Sequence, residues 1–194
     1  MEYNSQQIRS ALSQNISDCK FTECDFSDSD FTESCFANCI FENCNMQRTK
    51  FNSCKITGCA FINCNMKNAS LFLTEAKESK LMGIDFTEIN FTGITFSKCN
   101  LSYCNFRMQD LKKQDFSYCV LTETDFSGAD LKETLFEHAD LTGVLFTNAD
   151  LRKASVKYSV LCRTGFSQTK IKGMKITPEQ SFYLVRFWGG LIED

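Results

Sequence analysis

The residue types that most often carry out chemistry are unevenly represented in this chain, which has 12 Cys and one His among 194 residues. Ten of the Cys are separated from one another by multiples of five residues, and Cys35 stands four residues before Cys39 with no His nearby. Metal sites made of Cys and His need closely spaced ligand pairs, which are lacking here. We therefore predict no metal and no cofactor, and we interpret the Cys as buried structural thiols.

Motifs for acid–base and nucleophilic catalysis are also missing from the sequence. His138 has no Ser or Cys nucleophile arranged around it in sequence, and we expect it to face solvent. No Gly-rich phosphate loop and no paired catalytic carboxylate motif stands out. We therefore predict that the protein is not an enzyme.

The composition is that of an ordinary globular chain, with 43% apolar and 23% charged residues. The first twenty residues have no apolar core of a signal peptide, and the apolar stretch near the end is broken by Arg186. We expect no membrane segment and a cytoplasmic location, where the Cys stay reduced. The net charge of −3 is too small to indicate a partner.

A repeat of five residues dominates the sequence. Every fifth residue from Ile16 to Ile176 is apolar, and 16 of these 33 central positions are Phe and nine are Leu. A second column, two residues before each centre, holds Cys, Ser, Thr or Ala at most repeats. This period fits neither a helix nor a simple strand, so the chain must turn a corner every five residues. One large and one small inward side chain per repeat then fill the axis of a narrow coil.

These features resemble the pentapeptide repeat family, whose pattern is A(D/N)LXX, over residues 14–177. The segment ADLKETLFEHADLTGVLFTNADL at 129–151 carries the pattern most clearly. The resemblance implies an all-β solenoid, a right-handed quadrilateral β-helix with four repeats per coil and about eight coils. We accordingly divide the chain into an N-terminal cap (1–15), the β-helix (16–176) and a C-terminal dimerisation helix with its tail (177–194).

Both ends of such a coil need a cover, because exposed edges pair with other chains. Residues 5–14 have the composition of a short capping helix. Thr177 and Pro178 are typical of a helix start, and Gly189 of a helix stop. The short C-terminal α-helix they delimit is too apolar for a cap alone, so we predict a homodimer interface formed by Phe182, Leu184, Val185, Phe187, Trp188 and Leu191.

The repeat is weakest between residues 71 and 94, where the centre shrinks to Ala76 and the small column enlarges to Ile84, Ile89 and Ile94. We expect local distortion there, and residues 71–80 are the only part of the frame that could form a projecting loop. Phe72 and Leu73 should point outward. Two interpretations stay open: a bulged coil that packs these two side chains on itself, or a contact site for a partner.

Charge is distributed in blocks along the chain, with net charges of −6 over residues 18–42, +5 over 43–113, −7 over 114–150 and +7 over 151–175. This pattern does not favour direct nucleic acid binding. At the position before the centre, acids recur every 20 residues on two neighbouring faces. Asp110, Asp130 and Asp150 belong to one face, and Asp125 belongs to the other. These carboxylates either bond to nearby backbone at each corner or imitate the phosphates of duplex DNA.

Within the family, the chain is most similar to the quinolone-resistance (Qnr) group and related gyrase-interacting proteins. The tail GMKITPEQSFYLVRFWGGLIED and the segment NLSYCNF at 100–106 carry this similarity. The resemblance implies a non-catalytic homodimer that binds a type II topoisomerase, DNA gyrase or topoisomerase IV, by DNA mimicry and modulates it or protects it from quinolones or toxins. Qnr proteins that protect gyrase carry projecting loops, and this frame has no insertion. The alternative is a pentapeptide-repeat interaction scaffold without DNA mimicry.

Overall fold

The structure, a computed structural model, describes residues 2–3 and 15–190 of the chain. The chain divides into two compact units, Met1–Asn105 and Phe106–Asp194. The predicted N-terminal capping helix at residues 5–14 lies outside the described residues. The regular elements are β1 (Glu2–Tyr3), β2 (Asn15–Ser17), β3 (Lys20–Thr22), β4 (Cys35–Ala37), β5 (Ile40–Glu42), β6 (Lys55–Thr57), β7 (Ala60–Ile62), β8 (Glu75–Lys77), a one-turn 3-10 helix (Phe86–Glu88), β9 (Thr95–Ser97) and α1 (Pro178–Phe187).

The first unit is a parallel β-solenoid in which the chain meets itself every 20 residues. One sheet has the order β1-β3-β5-β7 and the other has the order β2-β4-β6-β8-β9. Their registers place Ile16 beside Phe36 and Phe36 beside Ile56. Parallel bridges such as that between Asp25 and Asn45 continue the same 20-residue step on the remaining sides. The four-sided coil that the family resemblance implies is therefore confirmed.

The second unit repeats this arrangement with shorter pairings. Single parallel bridges replace extended strands, and each one again joins residues 20 apart. Four series of bridges occupy the four sides, running Asp110–Asp130–Asp150–Lys170, Asp115–Leu135–Ser155–Lys175, Val120–Asp140–Val160 and Asp125–Leu145–Gly165. Side chains that stack in one column of the coil are thus those separated by multiples of 20 residues in the sequence.

The central residues of the repeat form the core of each unit. Phe106, Phe126 and Phe146 stack with ring centroids 5.2 and 5.6 Å apart and interplanar angles of 7° and 14°. Rings on neighbouring sides meet edge to face instead, as Phe116 and Phe126 do at 5.7 Å. Both geometries are favourable for aromatic pairs, and full burial of each large side chain contributes about 1.5–3 kcal/mol. No ligand is needed to fill this interior.

The small column has a hydrogen-bonding role in addition to its packing role. The hydroxyl of Thr49 donates to the carbonyl of Phe26 at 2.8 Å, and that of Thr134 donates to Leu111 at 2.8 Å. The thiol of Cys54 makes the same contact with the carbonyl of Phe31 at 2.8 Å. Buried carbonyl groups without a partner are costly, so a small donor at this position stabilises the coil. A thiol here replaces a hydroxyl.

The corners of the coil, except the one at Phe86–Glu88, use a residue in the left-handed region, two positions after the centre. Asp18, Leu73 and Tyr118 have φ angles of 54°, 56° and 62°, and Gly occupies the position at residues such as Gly143. The conformation costs a non-Gly residue about 1–2 kcal/mol. The ordered stacking of successive turns holds these residues in place.

The expected distortion between residues 71 and 94 is found at Phe86–Glu88. Here a one-turn 3-10 helix replaces the corner, and the side chain of Asp85 caps it by accepting from the N–H of Thr87. Residues 71–80 form no projecting loop, because β8 stays in register with β6 and β9. Ile84, one of the large residues in the small column, is buried in the core.

The C-terminal helix α1 closes the second unit. Thr177 and Gln180 form a reciprocal capping box, and Pro178 occupies the first turn. The amide of Gln180 also donates to the carbonyl groups of Val156 and Ser159, at 2.6 and 2.9 Å. Gly189, with a φ of 78°, follows the end of the helix. None of the helices in residues 2–3 and 15–190 is long and apolar enough to cross a bilayer.

Candidate interaction surfaces

The carboxylates that precede the central residues bond to the backbone at the corners. Oδ1 of Asp125 accepts from the N–H of Ser127 at 2.8 Å, and Oδ1 of Asp150 accepts from the N–H of Arg152 at 3.2 Å. Asp110 and Asp130 make the equivalent contact with longer bonds of 3.3 Å. One oxygen of each group therefore serves the turn, and the other accepts a hydrogen bond from a Lys or Arg side chain.

Asp110, Asp130 and Asp150 lie in one column of the second unit, joined by successive bridges. We call these three residues the acid ladder. Successive turns of a sheet are about 4.8 Å apart, so the ladder has a regular spacing. Its members differ in exposure, because their side chains are 67%, 29% and 13% accessible in that order. The end of the ladder at Asp110 is thus the part most open to a partner.

A ladder of cations lies beside the acid ladder. Lys112 Nζ is 2.9 Å from Asp110 Oδ2 and 3.3 Å from Asp130 Oδ2. Lys132 Nζ repeats this, at 2.9 Å from Asp130 and 3.5 Å from Asp150. Each lysine therefore bridges two turns, and the carboxylates are neutralised within the chain.

The last acid of the ladder is held most strongly. Arg152 reaches Asp150 through Nε at 2.8 Å and through Nη2 at 2.7 Å. These charge-assisted hydrogen bonds lower the pKa of Asp150 to about 2. A hydrogen bond from Lys112 lowers the pKa of Asp110. At Asp130, partial burial would raise the pKa, but hydrogen bonds from Lys132 and Lys112 outweigh it and the pKa is lowered.

The other predicted contact residues are divided between the units. Asp125 lies on the neighbouring side of the second unit, and its Oδ2 is 3.2 Å from Nη1 of Arg107. Phe72 and Leu73 belong to the first unit, where both side chains are exposed, at 39% and 50%. They lie on a regular turn of the coil, which leaves the partner-contact interpretation open for them.

The predicted dimer residues on α1 separate into two groups. Leu184 is buried within one chain, so it has no free surface to offer a second copy. Phe187 and Trp188 are exposed, and their rings lie 5.8 and 6.4 Å from the ring of Phe166. Phe182 and Val185 are exposed. Leu191 lies outside the described residues.

None of the 12 Cys, all of which lie in residues 15–190, forms a disulfide, and most of them are buried. Burial raises the pKa of Cys54 to about 11 and that of Cys104 to about 12. Cys162 is exposed. Among residues 15–190, no three Cys, His, Asp or Glu side chains are grouped so that they could hold a metal ion.

A shallow cleft of about 220 Å³ lies beside the 3-10 helix of the first unit. Lys67 and Glu88 line it and form an ion pair at 3.1 Å. No residue that the sequence analysis predicted as a contact lines this cleft, and its polar groups form no catalytic arrangement.

Comparison with known families matches most of the chain. The family model described as the pentapeptide repeat region matches residues 14–82 and 77–144, and a model of eight pentapeptide repeats matches residues 129–168. The chain belongs to the pentapeptide repeat family. No curated protein matches this pentapeptide repeat sequence closely enough to be counted as a relative.

Solved structures of pentapeptide repeat proteins resemble the chain. Full-length QnrB1, a plasmid-mediated fluoroquinolone resistance protein, has a TM-score of 0.67 and 20% identity over 97% of this chain and 94% of that one. A trypsin-treated variant of QnrB1 has a TM-score of 0.61 and 23% identity, covering 92% of both chains. At these identities the likeness establishes the shared β-helix fold.

The structure also reveals a stack of aromatic side chains that the analysis of this pentapeptide repeat sequence missed. The exposed ring of His138 lies between Tyr118 and Tyr158, with centroid distances of 4.8 and 4.9 Å and interplanar angles of 10° and 12°. His138 is on the surface, as predicted, but it is not isolated. The 20-residue spacing of the three residues was the signal that could have predicted the stack.

Proposed function

We propose that this protein is a non-catalytic binding protein whose partner is a type II topoisomerase, DNA gyrase or topoisomerase IV. The observation that supports this most is the likeness to full-length QnrB1, which covers 97% of this chain and 94% of that protein. The match therefore includes the tail helix of this chain as well as its coil. The tail sequence that resembles the Qnr group forms a capped helix with an exposed apolar side at Phe182 and Val185.

The acid ladder is the surface through which DNA mimicry would act. A basic DNA channel would have to replace Lys112 and Lys132 with its own cations to engage these carboxylates. Exposed ion pairs contribute little to stability because solvent screens them. Replacing Lys112 at Asp110 with a cation of the partner therefore costs little free energy. Phe72 and Leu73 add an apolar contact in the first unit.

The mode of action we propose is competition for the DNA-binding surface. No projecting loop interrupts residues 71–80, and the repeat frame contains no insertion. Loops of that kind are what the Qnr resemblance would require for protection of gyrase from a drug. The protein is therefore expected to inhibit the topoisomerase more readily than to rescue it.

A second candidate function is an interaction scaffold without DNA mimicry. The neutralisation of the acid ladder by Lys112, Lys132 and Arg152 favours it, because a row of ion pairs presents little net negative charge. Such a scaffold would bind a different protein through other sides of the coil.

A supercoiling assay distinguishes the two functions. Purified protein at micromolar concentration is added to DNA gyrase with relaxed plasmid, with and without a fluoroquinolone. Inhibition of supercoiling, or rescue from the drug, supports topoisomerase binding. No effect in either arm, together with no complex in a pull-down of the gyrase subunits, contradicts the proposal and leaves the scaffold.

A further inference from the structure

The last turns of the coil carry a concentration of positive charge that the proposed function does not use. Residues 151–175 contain seven Lys and Arg residues and no acid. Two of these cations are paired with acids earlier in the chain, Arg152 with Asp150 at 2.7 Å and Arg163 with Glu123 at 3.5 Å. The remaining five, which we call the lysine patch, are Lys153, Lys157, Lys170, Lys172 and Lys175.

The lysine patch has no acidic partner within residues 106–190. Four of its members are exposed, and Lys157 is half-buried with Nζ 5.8 Å from the ring centroid of Tyr158. Beside the acid ladder, by contrast, Lys112, Lys132 and Arg152 each lie within 3.0 Å of a carboxylate oxygen. The positive charge of the patch is therefore uncompensated by the part of this unit that the structure describes.

The coil brings the five lysines together although they are up to 22 positions apart in the sequence. The N–H of Lys153 donates to the carbonyl of Lys172 at 3.2 Å, which places these residues on neighbouring turns. Lys170 is the bridge partner of Asp150, and Lys175 is the bridge partner of Ser155. The patch thus covers two adjoining sides of the coil over two consecutive turns.

The patch begins where the alternation of charge ends. The column that contains the acid ladder continues with Lys170, and the column of Lys112, Lys132 and Arg152 continues with Lys172. An acid at position 170 would have continued the row of ion pairs. Because this position is Lys170, like charges lie side by side, and an anionic partner would relieve their repulsion.

The extent of the patch indicates which anionic partner fits. Two turns are separated by only about 4.8 Å. One turn earlier, the columns of Lys153 and Lys157 hold Glu133 and Glu137 instead. A long phosphate backbone would be drawn past these carboxylates, whereas a short anionic segment can end before them. We propose that the lysine patch binds a short segment of a partner protein that is rich in Asp and Glu.

The probe for this proposal is a fluorescent peptide of eight glutamates, titrated with the full-length protein at low ionic strength and followed by fluorescence anisotropy. Binding is expected, and it should weaken steadily as salt is added because the contacts are exposed. The variant Lys170→Glu/Lys172→Glu should lose at least tenfold in affinity. The matched control Lys55→Glu/Lys80→Glu makes the same change of charge at exposed lysines of the first unit, and should change affinity less than threefold.

Three outcomes would overturn the proposal. The first is an equal loss in both double variants, which would mean that net charge alone attracts the peptide. The second is that a 20-base-pair DNA duplex binds more tightly than the peptide and loses this binding in Lys170→Glu/Lys172→Glu, which would make the patch a nucleic-acid site. The third is no peptide binding at low salt. Circular dichroism checks that each variant is folded, and Lys153→Gln/Lys175→Gln provides a milder variant with the same expected direction.

Discussion

Arg152 holds both carboxylate oxygens of Asp150, with Nε 2.8 Å from Oδ1 and Nη2 2.7 Å from Oδ2. The two residues are also joined by the corner hydrogen bond from the N–H of Arg152 to Oδ1. Asp150 is consequently both the cap of its turn and the most buried member of the acid ladder. Charge pairing and turn formation are carried out by the same side chain.

The pKa of Asp150 predicts an acid-dependent loss of stability. This pKa is about 2 in the folded protein and about 3.9 in an unfolded chain. The contribution of Asp150 to the free energy of unfolding is therefore complete above pH 4 and disappears as the pH falls towards 2. Asp150→Asn should lower the free energy of unfolding at pH 7 by about 1 kcal/mol after solvent screening. Urea denaturation at pH 7 and at pH 2.5 measures this. A difference between variant and wild type that is as large at pH 2.5 as at pH 7 would contradict the assignment.

The burial of the thiols predicts a wide range of reactivity. Cys162 is the exposed thiol and should be labelled first by a thiol reagent at pH 8. Buried thiols such as Cys54 and Cys104 should react slowly, because burial raises their pKa and denies access. Denaturation should make all 12 reactive. Cys162→Ser should remove the fast phase, and rapid labelling of six or more thiols in the native protein would refute the buried column.

The helix α1 predicts different effects for its two groups of apolar residues. Phe182→Ser/Val185→Ser removes exposed side chains, so it should convert a dimer to a monomer with little change in unfolding. Leu184→Ala removes a buried side chain and should cost about 2–4 kcal/mol of stability. Light scattering and thermal unfolding measure the two effects separately. A full-length wild-type protein that is soluble and monomeric would show that α1 is a cap alone.

The acid ladder predicts how topoisomerase binding depends on charge. Changing Asp110, Asp130 and Asp150 to Asn keeps a side-chain oxygen for each corner but removes three charges, so binding should weaken and become less sensitive to salt. The change also frees Lys112 and Lys132, which increases the repulsion from a basic channel. Inhibition of gyrase in the supercoiling assay is the measurement. If this variant inhibits normally while Phe72→Ser/Leu73→Asn does not, the contact lies in the first unit.

Much of the fold follows directly from the period of the sequence. Apolar residues at every fifth position from Ile16 to Ile176 leave no regular element other than a coil that turns every five residues. The capped helix after Thr177 was also predictable, because N-cap, Pro and Gly act locally. Local rules and a strict period need no knowledge of which distant residues meet.

The partners of the surface side chains were decided only by the tertiary structure. Lys112 reaches Asp130, and Gln180 reaches Val156 and Ser159, because stacked turns bring together residues about 20 positions apart. The sequence, through its resemblance to the pentapeptide repeat family and that family's four repeats per coil, already implied that Asp110, Asp130 and Asp150 share a column. Whether their carboxylates face solvent or a lysine depends on the reach of long side chains across a gap of one turn. That reach is why these three carboxylates are paired with Lys112, Lys132 and Arg152 in the folded protein.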